Sequence, residues 1–326
     1  MKAAMVIFGL TGLALATGLI VWHGTGSVMH ATLAIGWGLI AVIVWELIPL
    51  SIDAAAWGLL LPPESRLRFR TVLWARWIRQ SASQLLPVAQ VGGDAVGARM
   101  MYLRGVPGNL AGSAVVVDLT LGAGTQILFT LTGLALLATY GAADGLTVPL
   151  LVVAGVLLTC VTGFVFAQRN GLFRFLAKRA HGVSGGLVAL VGDAERLDES
   201  VRAVYRRPAD IAKNVLLQLI SWFAGTGEVW IACYFLGHPI SVADAMILQS
   251  LSRAARAAAF MVPGGLGVQE GGIMLLAGLI GLSPETGLAL ALVKRVRELA
   301  VGVPALIAWQ AAEGHHLWRR RTRAAE

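Results

Sequence analysis

Long uninterrupted apolar stretches dominate the hydrophobic pattern of this chain. Residues 3–22 and 146–168 contain no charged side chain, and residues 31–61 contain only Glu46 and Asp53. A helix needs roughly 20 residues to cross a hydrocarbon core of about 30 Å, so each stretch can span a membrane. The pattern predicts an all-α integral membrane protein with six transmembrane helices, at about 3–22, 31–61, 108–139, 146–168, 210–237 and 284–312.

Two further apolar segments, 71–103 and 243–281, are broken by Pro and Gly. Pro removes a backbone donor and each Gly weakens a helix by about 1 kcal/mol, so these segments cannot continue as unbroken helices. Non-helical backbone is tolerated at membrane depth only where it is buried in protein or lines a wet cavity. We therefore expect each segment to form a re-entrant hairpin.

Composition agrees with a membrane protein. Of the 326 residues, 57% are apolar and 13% charged, whereas a soluble chain is about half apolar and a quarter charged. The mean hydropathy of +0.73 points the same way. The net charge of +8 comes from basic residues in the loops, so it indicates a membrane surface rather than a nucleic-acid partner.

The loop charges predict an orientation. Eight Lys or Arg fall in 169–209, five in 62–79 (counting Arg76 and Arg79), and four in the tail 313–326. The positive-inside rule then places both termini in the cytoplasm, provided that the first hairpin opens from the cytoplasm and the second from the outer face. The loops that contain no Lys or Arg are 23–30, 140–145 and 238–242.

Residues 187–207 alternate apolar and charged side chains at helical spacing. This spacing predicts an amphipathic helix on the cytoplasmic side. Its apolar face could lie on the membrane surface, or the helix could be an ordinary solvated one. The sequence leaves both open.

The two broken segments resemble each other. In each, a carboxylate follows a proline by seven residues, with two or three glycines between: Asp94 follows Pro87, and Glu270 follows Pro263. Chance can produce such a match, but the agreement with the topology from the loop charges strengthens it.

The likeness continues into the next predicted span. Pro107 and Pro284 begin these spans, and eleven residues further stand Asp118 and Arg295. Within one membrane domain, 1–326, a unit of two spans, a hairpin and a third span therefore occurs twice. Because each unit crosses the membrane three times, the second is inverted, which is typical of transporters. The units are 1–139 and 146–312, with 169–209 as a basic cytoplasmic loop and 313–326 as a basic tail.

Several charges fall inside apolar sequence. Arg253 and Arg256 are one helical turn apart, and Lys294 and Arg295 lie near the middle of the last span. Such charges cost at least ~2.5–3.5 kcal/mol each, so they pair or line a path. They could form a closed network of structural ion pairs, or some arginines could hold an anionic head group, for which the guanidinium fork suits phosphate. The acidic partners available are Glu46, Asp53, Asp94, Asp118, Glu228 and Glu270.

Signatures of enzymes are missing from the sequence. There is no phosphate-binding P-loop, no HExxH and no Cys/His metal spacing. We expect neither a cofactor nor a metal, and a protein that is not an enzyme.

The run 263–270, with Arg295 in the next span, resembles the lysylphosphatidylglycerol-synthase transmembrane (flippase-like) family. Within that family the chain is most similar to hopanoid-biosynthesis-associated membrane proteins of the HpnL type. The resemblance implies a multi-pass protein of the bacterial inner membrane that moves or handles lipids. The matching residues are Pro263, Gly264, Gly265, Gly267, Glu270 and Arg295 in the second motif, and Gly92, Gly93, Asp94 and Arg99 in the first.

These observations together predict a translocator of a polar-headed lipid, with the head group bound between the hairpins, and the resemblance implies a hopanoid or its precursor as the cargo. Two alternatives stay open: an enzyme that modifies a lipid head group with Asp94 or Glu270 as base, and a scaffold for hopanoid-biosynthesis enzymes. A homo-oligomer is also left open. The candidate binding residues are Pro87, Gln90, Gly92, Gly93, Asp94, Arg99, Asp118, Arg253, Arg256, Pro263, Gly264, Gly265, Gly267, Gln269, Glu270, Lys294 and Arg295.

Overall fold

The computed structural model describes residues 35–86, 89–139, 147–172, 175, 194–258 and 268–323. Over these ranges the chain forms α-helices, one short 3-10 turn and no strand, as an all-α protein should. The helices are α1 (Gly38–Leu60), α2 (Phe69–Leu85), α3 (Ala89–Leu103), α4 (Gly108–Thr139), α5 (Thr147–Arg169), α6 (Ala194–Tyr205), α7 (Pro208–Phe235), α8 (Val242–Ala258), α9 (Val268–Leu279) and α10 (Pro284–Arg323).

Apolar runs predict the long helices closely. Helix α4 has the predicted bounds, and α5 and α7 begin and end within two residues of theirs. Helix α1 is shorter than the predicted span 31–61, because Gly36 adopts a positive φ of 54° and makes a turn before it. In the described part of the chain, α1, α4 and α7 are long and apolar enough to cross a membrane. The predicted span 3–22 lies outside the described residues.

The last helix differs from its prediction. Instead of a span ending at 312 and a separate tail, α10 continues to Arg323, with Pro304 inside it. The residues change from apolar to polar near 312, but the helix does not end there. Four of the eleven residues from 313 to 323 are Arg, which favours the helix.

The order of helices repeats. A long helix, a pair of shorter helices and a second long helix occur as α1, α2–α3, α4 and again as α7, α8–α9, α10. Helices of the two units also pack on each other: α2 packs on α10, α8 packs on α4, and α1 packs on α7. The first helix of each short pair thus lies against the final long helix of the other unit, while the second packs on the final long helix of its own unit. The inverted placement of the two units in a membrane stays a prediction.

The two short pairs enter the bundle from opposite ends. Arg207, before α7, donates hydrogen bonds at 2.6–3.2 Å to the last carbonyls of α1, those of Leu59, Leu60 and Leu61. This contact satisfies groups that a helix end leaves unpaired. The end of the bundle that holds Arg207 and the loop after α1 is called here the basic end.

Helices α2 and α3 open toward the basic end. Arg104, just after α3, lies over the ring of Trp74 near the start of α2, 4.4 Å from its centroid. Helix α8 instead begins seven residues after the far end of α7, where Phe235 meets the start of α1 at Gly38. The pair α8–α9 therefore opens toward the opposite end.

Helix α6 confirms that part of 187–207 is an amphipathic helix. Its apolar side chains Leu197, Val201 and Val204 are buried in the protein core, and the helix packs on α4, α5 and α7. The expectation that this face lies on the membrane surface is wrong for these residues, because neighbouring helices already cover it.

Candidate functional site

A polar cavity of about 350 Å³ lies between the two units, enclosed by α1, α2, α3, α4, α7 and α8. Its lining is unusually rich in charge for the interior of an apolar bundle. The charged lining residues are Glu46, Asp53, Asp94 and Asp118, together with Arg76, Arg79, Arg253 and Arg256.

Asp118 of α4 joins two arginines of α2. Its Oδ2 atom accepts hydrogen bonds from Arg76 Nη1 at 2.8 Å and from Arg79 Nη1 at 2.6 Å, and its Oδ1 accepts one from Gln218 Nε2 at 3.1 Å. The Asp118 side chain is only 5% exposed. These four residues are called the Asp118 cluster. A carboxylate held by two guanidinium groups meets the requirement that a buried charge be paired.

The same arginines extend the cluster to other helices. Arg79 Nε donates to Asp94 Oδ1 at 2.8 Å, which joins α2 to α3, and Arg76 Nη2 donates to Asp53 Oδ2 at 3.0 Å, which joins α2 to α1. The guanidinium of Arg79 also lies 4.9 Å from the ring centroid of Trp57. Asp94, predicted as a binding residue, is thus held by an ion pair within its own unit.

A second cluster forms in the other unit. Glu298 of α10 accepts from Arg256 of α8 at 2.6 Å and from Arg295 at 2.9 Å. These three residues are called the Glu298 cluster. The sequence aligned Asp118 with Arg295, but the carboxylate that receives an arginine from the short pair is Glu298, one turn beyond Arg295.

A third set of charges connects the units. Arg297 Nε donates to Glu228 Oε1 at 2.9 Å, and its Nη1 lies 3.1 Å from Glu46 Oε1. Glu46 also accepts from Gln80 Nε2 at 2.8 Å. Helices α1, α2, α7 and α10 are therefore tied together by groups that are almost fully buried.

Two interior cations, the partly buried Arg253 and the buried Lys294, stand outside this pairing. Within the described ranges, neither Arg253 nor Lys294 has a carboxylate at ion-pair distance. Arg253 lies over the ring of Trp222, 5.6 Å from its centroid. Lys294 donates to the neutral Gln249 Oε1 at 2.5 Å. Arg253, which lines the cavity, and Lys294, which donates to the lining residue Gln249, consequently add positive charge on the α8 side of the cavity.

Glycine has a packing role in the first motif. A Cβ on Gly93 would lie 2.5 Å from the backbone nitrogen of Ser83 and 2.6 Å from the carbonyl oxygen of Arg79. Only glycine permits α2 and α3 to approach this closely. Gly93 therefore contributes by bringing Asp94 within reach of Arg79. Gly92 lies beside it in the first half of α3.

Other candidates fall away from the cavity or outside the description. Arg99 forms a two-point pair with Glu313 of α10, at 3.0 and 3.2 Å, and does not line the cavity. Helices α3 and α9 include Gln90, Gln269 and Glu270 in their backbones, but those side chains are outside the described part. Also outside it are Pro87, Pro263, Gly264, Gly265 and Gly267.

Arg76 and Arg79 were not predicted as site residues, because they were counted among the charges of a cytoplasmic loop. They lie in α2, and Arg79 is 4% exposed. A signal was available. Each unit carries two arginines three residues apart, and the second precedes the proline by eight residues at Arg79 and by seven at Arg256.

The fold and the cavity define a helical membrane protein with a charged interior site. The family described as Lysylphosphatidylglycerol synthase TM region matches residues 9–305, and the chain belongs to that family. The family and the apolar helices identify a membrane protein related to lipids. No curated protein matches the chain closely enough to stand as a relative.

Proposed function

We propose that this protein is a lipid translocator, which binds the polar head group of a lipid in the cavity and moves it between leaflets. The observation that supports this most is the cavity itself. It is lined by charged residues from both units, and one of its arginines, Arg253, has no carboxylate partner within the described ranges. A closed network of structural ion pairs would have no need of a cavity of about 350 Å³.

An apolar rim supports movement of a whole lipid. Leu119 lines the cavity and is also 45% exposed, and Ala123 lines it one turn further along α4. A lipid whose head group enters the cavity can leave its tails against such a rim, within the hydrocarbon. This geometry avoids carrying the tails through a polar site.

Transport fits the cavity better than catalysis does. Asp118 and Asp94 accept hydrogen bonds from arginines, and Glu46 accepts one from Gln80 and lies beside Arg297. Asp118, which accepts three hydrogen bonds on its two oxygens, is a poor general base because the two arginines stabilise its ionised form. We therefore propose that the protein is not an enzyme.

The proposal includes a placement in the membrane. The basic end would face the cytoplasm together with both termini, the pairs α2–α3 and α8–α9 would be re-entrant hairpins from opposite faces, and the second unit would be inverted. The membrane would be a bacterial inner membrane that the chain crosses several times. The movement would be driven by a proton gradient or by the lipid gradient.

The cargo is proposed from the resemblance to HpnL-type proteins. It would be a hopanoid, a hopanoid precursor or another lipid with a polar head group. Hopanoid-biosynthesis proteins would then be the natural partners, because they make the lipid that the translocator moves. The alternative role as a scaffold for those enzymes would leave the cavity without a use.

Filling the cavity tests the proposal. Ala123→Trp places a bulky ring on the lining of α4, and Ala135→Trp places the same ring on an exposed position of that helix. In vesicles with fluorescent lipid in both leaflets, external dithionite quenches all of the label only if the protein moves the labelled lipid between the leaflets. We expect exchange by the wild type and by Ala135→Trp, and none by Ala123→Trp. Equal exchange by both variants would refute transport through the cavity.

A further inference from the structure

Three of the four arginines that line the cavity are committed to carboxylates. Arg76 and Arg79 donate to Asp118, and Arg256 donates to Glu298. Arg253 is the lining arginine without such a partner in the described ranges. Glu46 and Glu228 attract it only from beyond ion-pair distance, so among the described residues its guanidinium remains open to a closer anionic partner.

Arg253 is nevertheless held in place. Its guanidinium carbon lies 5.6 Å from the ring centroid of Trp222, and its backbone carbonyl accepts a hydrogen bond from Gln126 Nε2 at 3.3 Å. A contact with the face of an aromatic ring attracts the cation but consumes none of its five N–H donors. The donors of Arg253 are therefore available to a ligand.

Trp222 is itself fixed by a chain of hydrogen bonds. Its Nε1 donates to Thr125 Oγ1 at 3.1 Å, Thr125 Oγ1 donates to Gln218 Oε1 at 3.0 Å, and Gln218 donates to Asp118. The ring beneath Arg253 is thus anchored to the Asp118 cluster of the first unit. An arginine that is prepositioned in this way loses little side-chain entropy when it binds.

The surroundings of Arg253 select the chemistry of the ligand. Lys294, whose partner Gln249 lines the cavity, adds positive charge on the same side. A guanidinium matches two oxygens of a phosphate, and the rim at Leu119 suits the apolar part of a lipid. Resting on the proposed function, we propose that Arg253 binds the phosphodiester of an anionic phospholipid and that Trp222 is the positioning residue that holds it.

Binding in detergent tests this assignment without requiring transport. Purified protein is given equal amounts of phosphatidylglycerol and phosphatidylcholine, and the retained lipid is measured by native mass spectrometry. We expect the wild type to retain the anionic lipid preferentially. Arg253→Gln should lower that retention at least about tenfold, because a charge-assisted hydrogen bond is lost. Arg253→Lys, which keeps the charge and loses the fork, should be intermediate.

Two further variants separate binding from folding. Arg70→Gln removes an exposed arginine of α2 and should behave as the wild type. Trp222→Phe keeps a ring and removes the N–H, so it should reduce the preference for the anionic lipid while leaving the thermal midpoint near that of the wild type. Loss of preference only in parallel with loss of folding would overturn the role of Trp222.

The remaining outcomes are equally informative. Equal retention of the two lipids by the wild type, or unchanged retention in Arg253→Gln, would overturn the assignment. Displacement of the lipid by millimolar inorganic phosphate would identify free phosphate as the ligand and overturn the lipid source. Preferential retention of the anionic lipid without movement of lipid between leaflets in vesicles would support the binding site and contradict the proposed transport function.

Discussion

At the scale of single residues, the interior charges stabilise one another only as sets. Asp118 accepts from two arginines and an amide, so its removal affects three groups at once. Breaking one member of a buried ion pair leaves an uncompensated charge, which costs more than the pair contributes. A single substitution in a cluster is therefore strongly destabilising, whereas the cluster as a whole contributes little net stability.

Asp118→Asn should accordingly destabilise the protein far more than Asp94→Asn. The first change removes the ion pairs of Asp118 with both Arg76 and Arg79, which keep only Asp53 and Asp94 as partners, at a cost of about 3 kcal/mol. The second leaves Arg79 still paired with Asp118, so the loss should be about 1 kcal/mol. Thermal midpoints in detergent, measured by fluorescence-detected size exclusion, compare the two. Similar midpoints for both variants would contradict the structure of the cluster.

The residue types of the site could be predicted from sequence, but their pairing could not. Charges inside apolar runs identified Asp118, Arg253 and Arg256 as candidates. Which arginine meets which carboxylate depends on how α2 packs against α4 and how α8 packs against α10, and the spacing along the chain does not encode this. Arg295 illustrates this limit. It stands at the position that matches Asp118, but the carboxylate of the second cluster is Glu298.

At the scale of helices, the contact between α2 and α3 depends on the absence of a side chain at Gly93. A Cβ would meet the hydroxyl of Ser83 and two backbone atoms of α2, and rotation of the Ser83 side chain cannot relieve the overlap with the backbone. The two helices would have to separate, and the Arg79–Asp94 pair would lengthen.

Gly93→Ala should therefore destabilise the protein by about 1–3 kcal/mol, as overpacking does. Gly271→Ala is the matched control in α9, where a Cβ would meet nothing within 4 Å. It should stabilise the helix by about 1 kcal/mol. The same thermal assay distinguishes them, and a stable Gly93→Ala protein would mean that α2 and α3 are less closely packed than described.

Helix positions could be predicted from sequence more reliably than helix ends. An unbroken apolar run gave the bounds of α4, and the Pro-Gly interruptions located the joints of both short pairs. The sequence could not show that α10 continues past 312 or that α6 docks on α4. Both depend on which neighbour covers a face, and that is a tertiary property.

At the scale of the whole molecule, the two units are interlocked. The first helix of each short pair packs on the final helix of the other unit, and residues from both units line the cavity. The repeated order of elements could be anticipated from the two Pro-Gly-acid segments, whereas this packing between the units could not.

The two ends of the bundle should be accessible from opposite sides of the membrane. In a background with Cys160→Ser and Cys233→Ala, Arg68→Cys at the basic end should react with an impermeant maleimide only after permeabilisation. His238→Cys, at the exposed loop after α7, should react in intact cells. Labelling of both from one side would exclude hairpins that open from opposite faces, and the reverse pattern would invert the proposed orientation.

The uninterrupted course of α10 has a mechanical consequence. With 40 residues, it is about 60 Å long at 1.5 Å per residue, roughly twice the thickness of a hydrocarbon core. One helix thus carries the buried Arg297 and, sixteen residues further, the buried Glu313, with Pro304 between them as the point where a helix bends most readily. A tilt of the part that carries Arg297 would therefore move Glu313 and its partner Arg99 as well, except for what a bend at Pro304 absorbs.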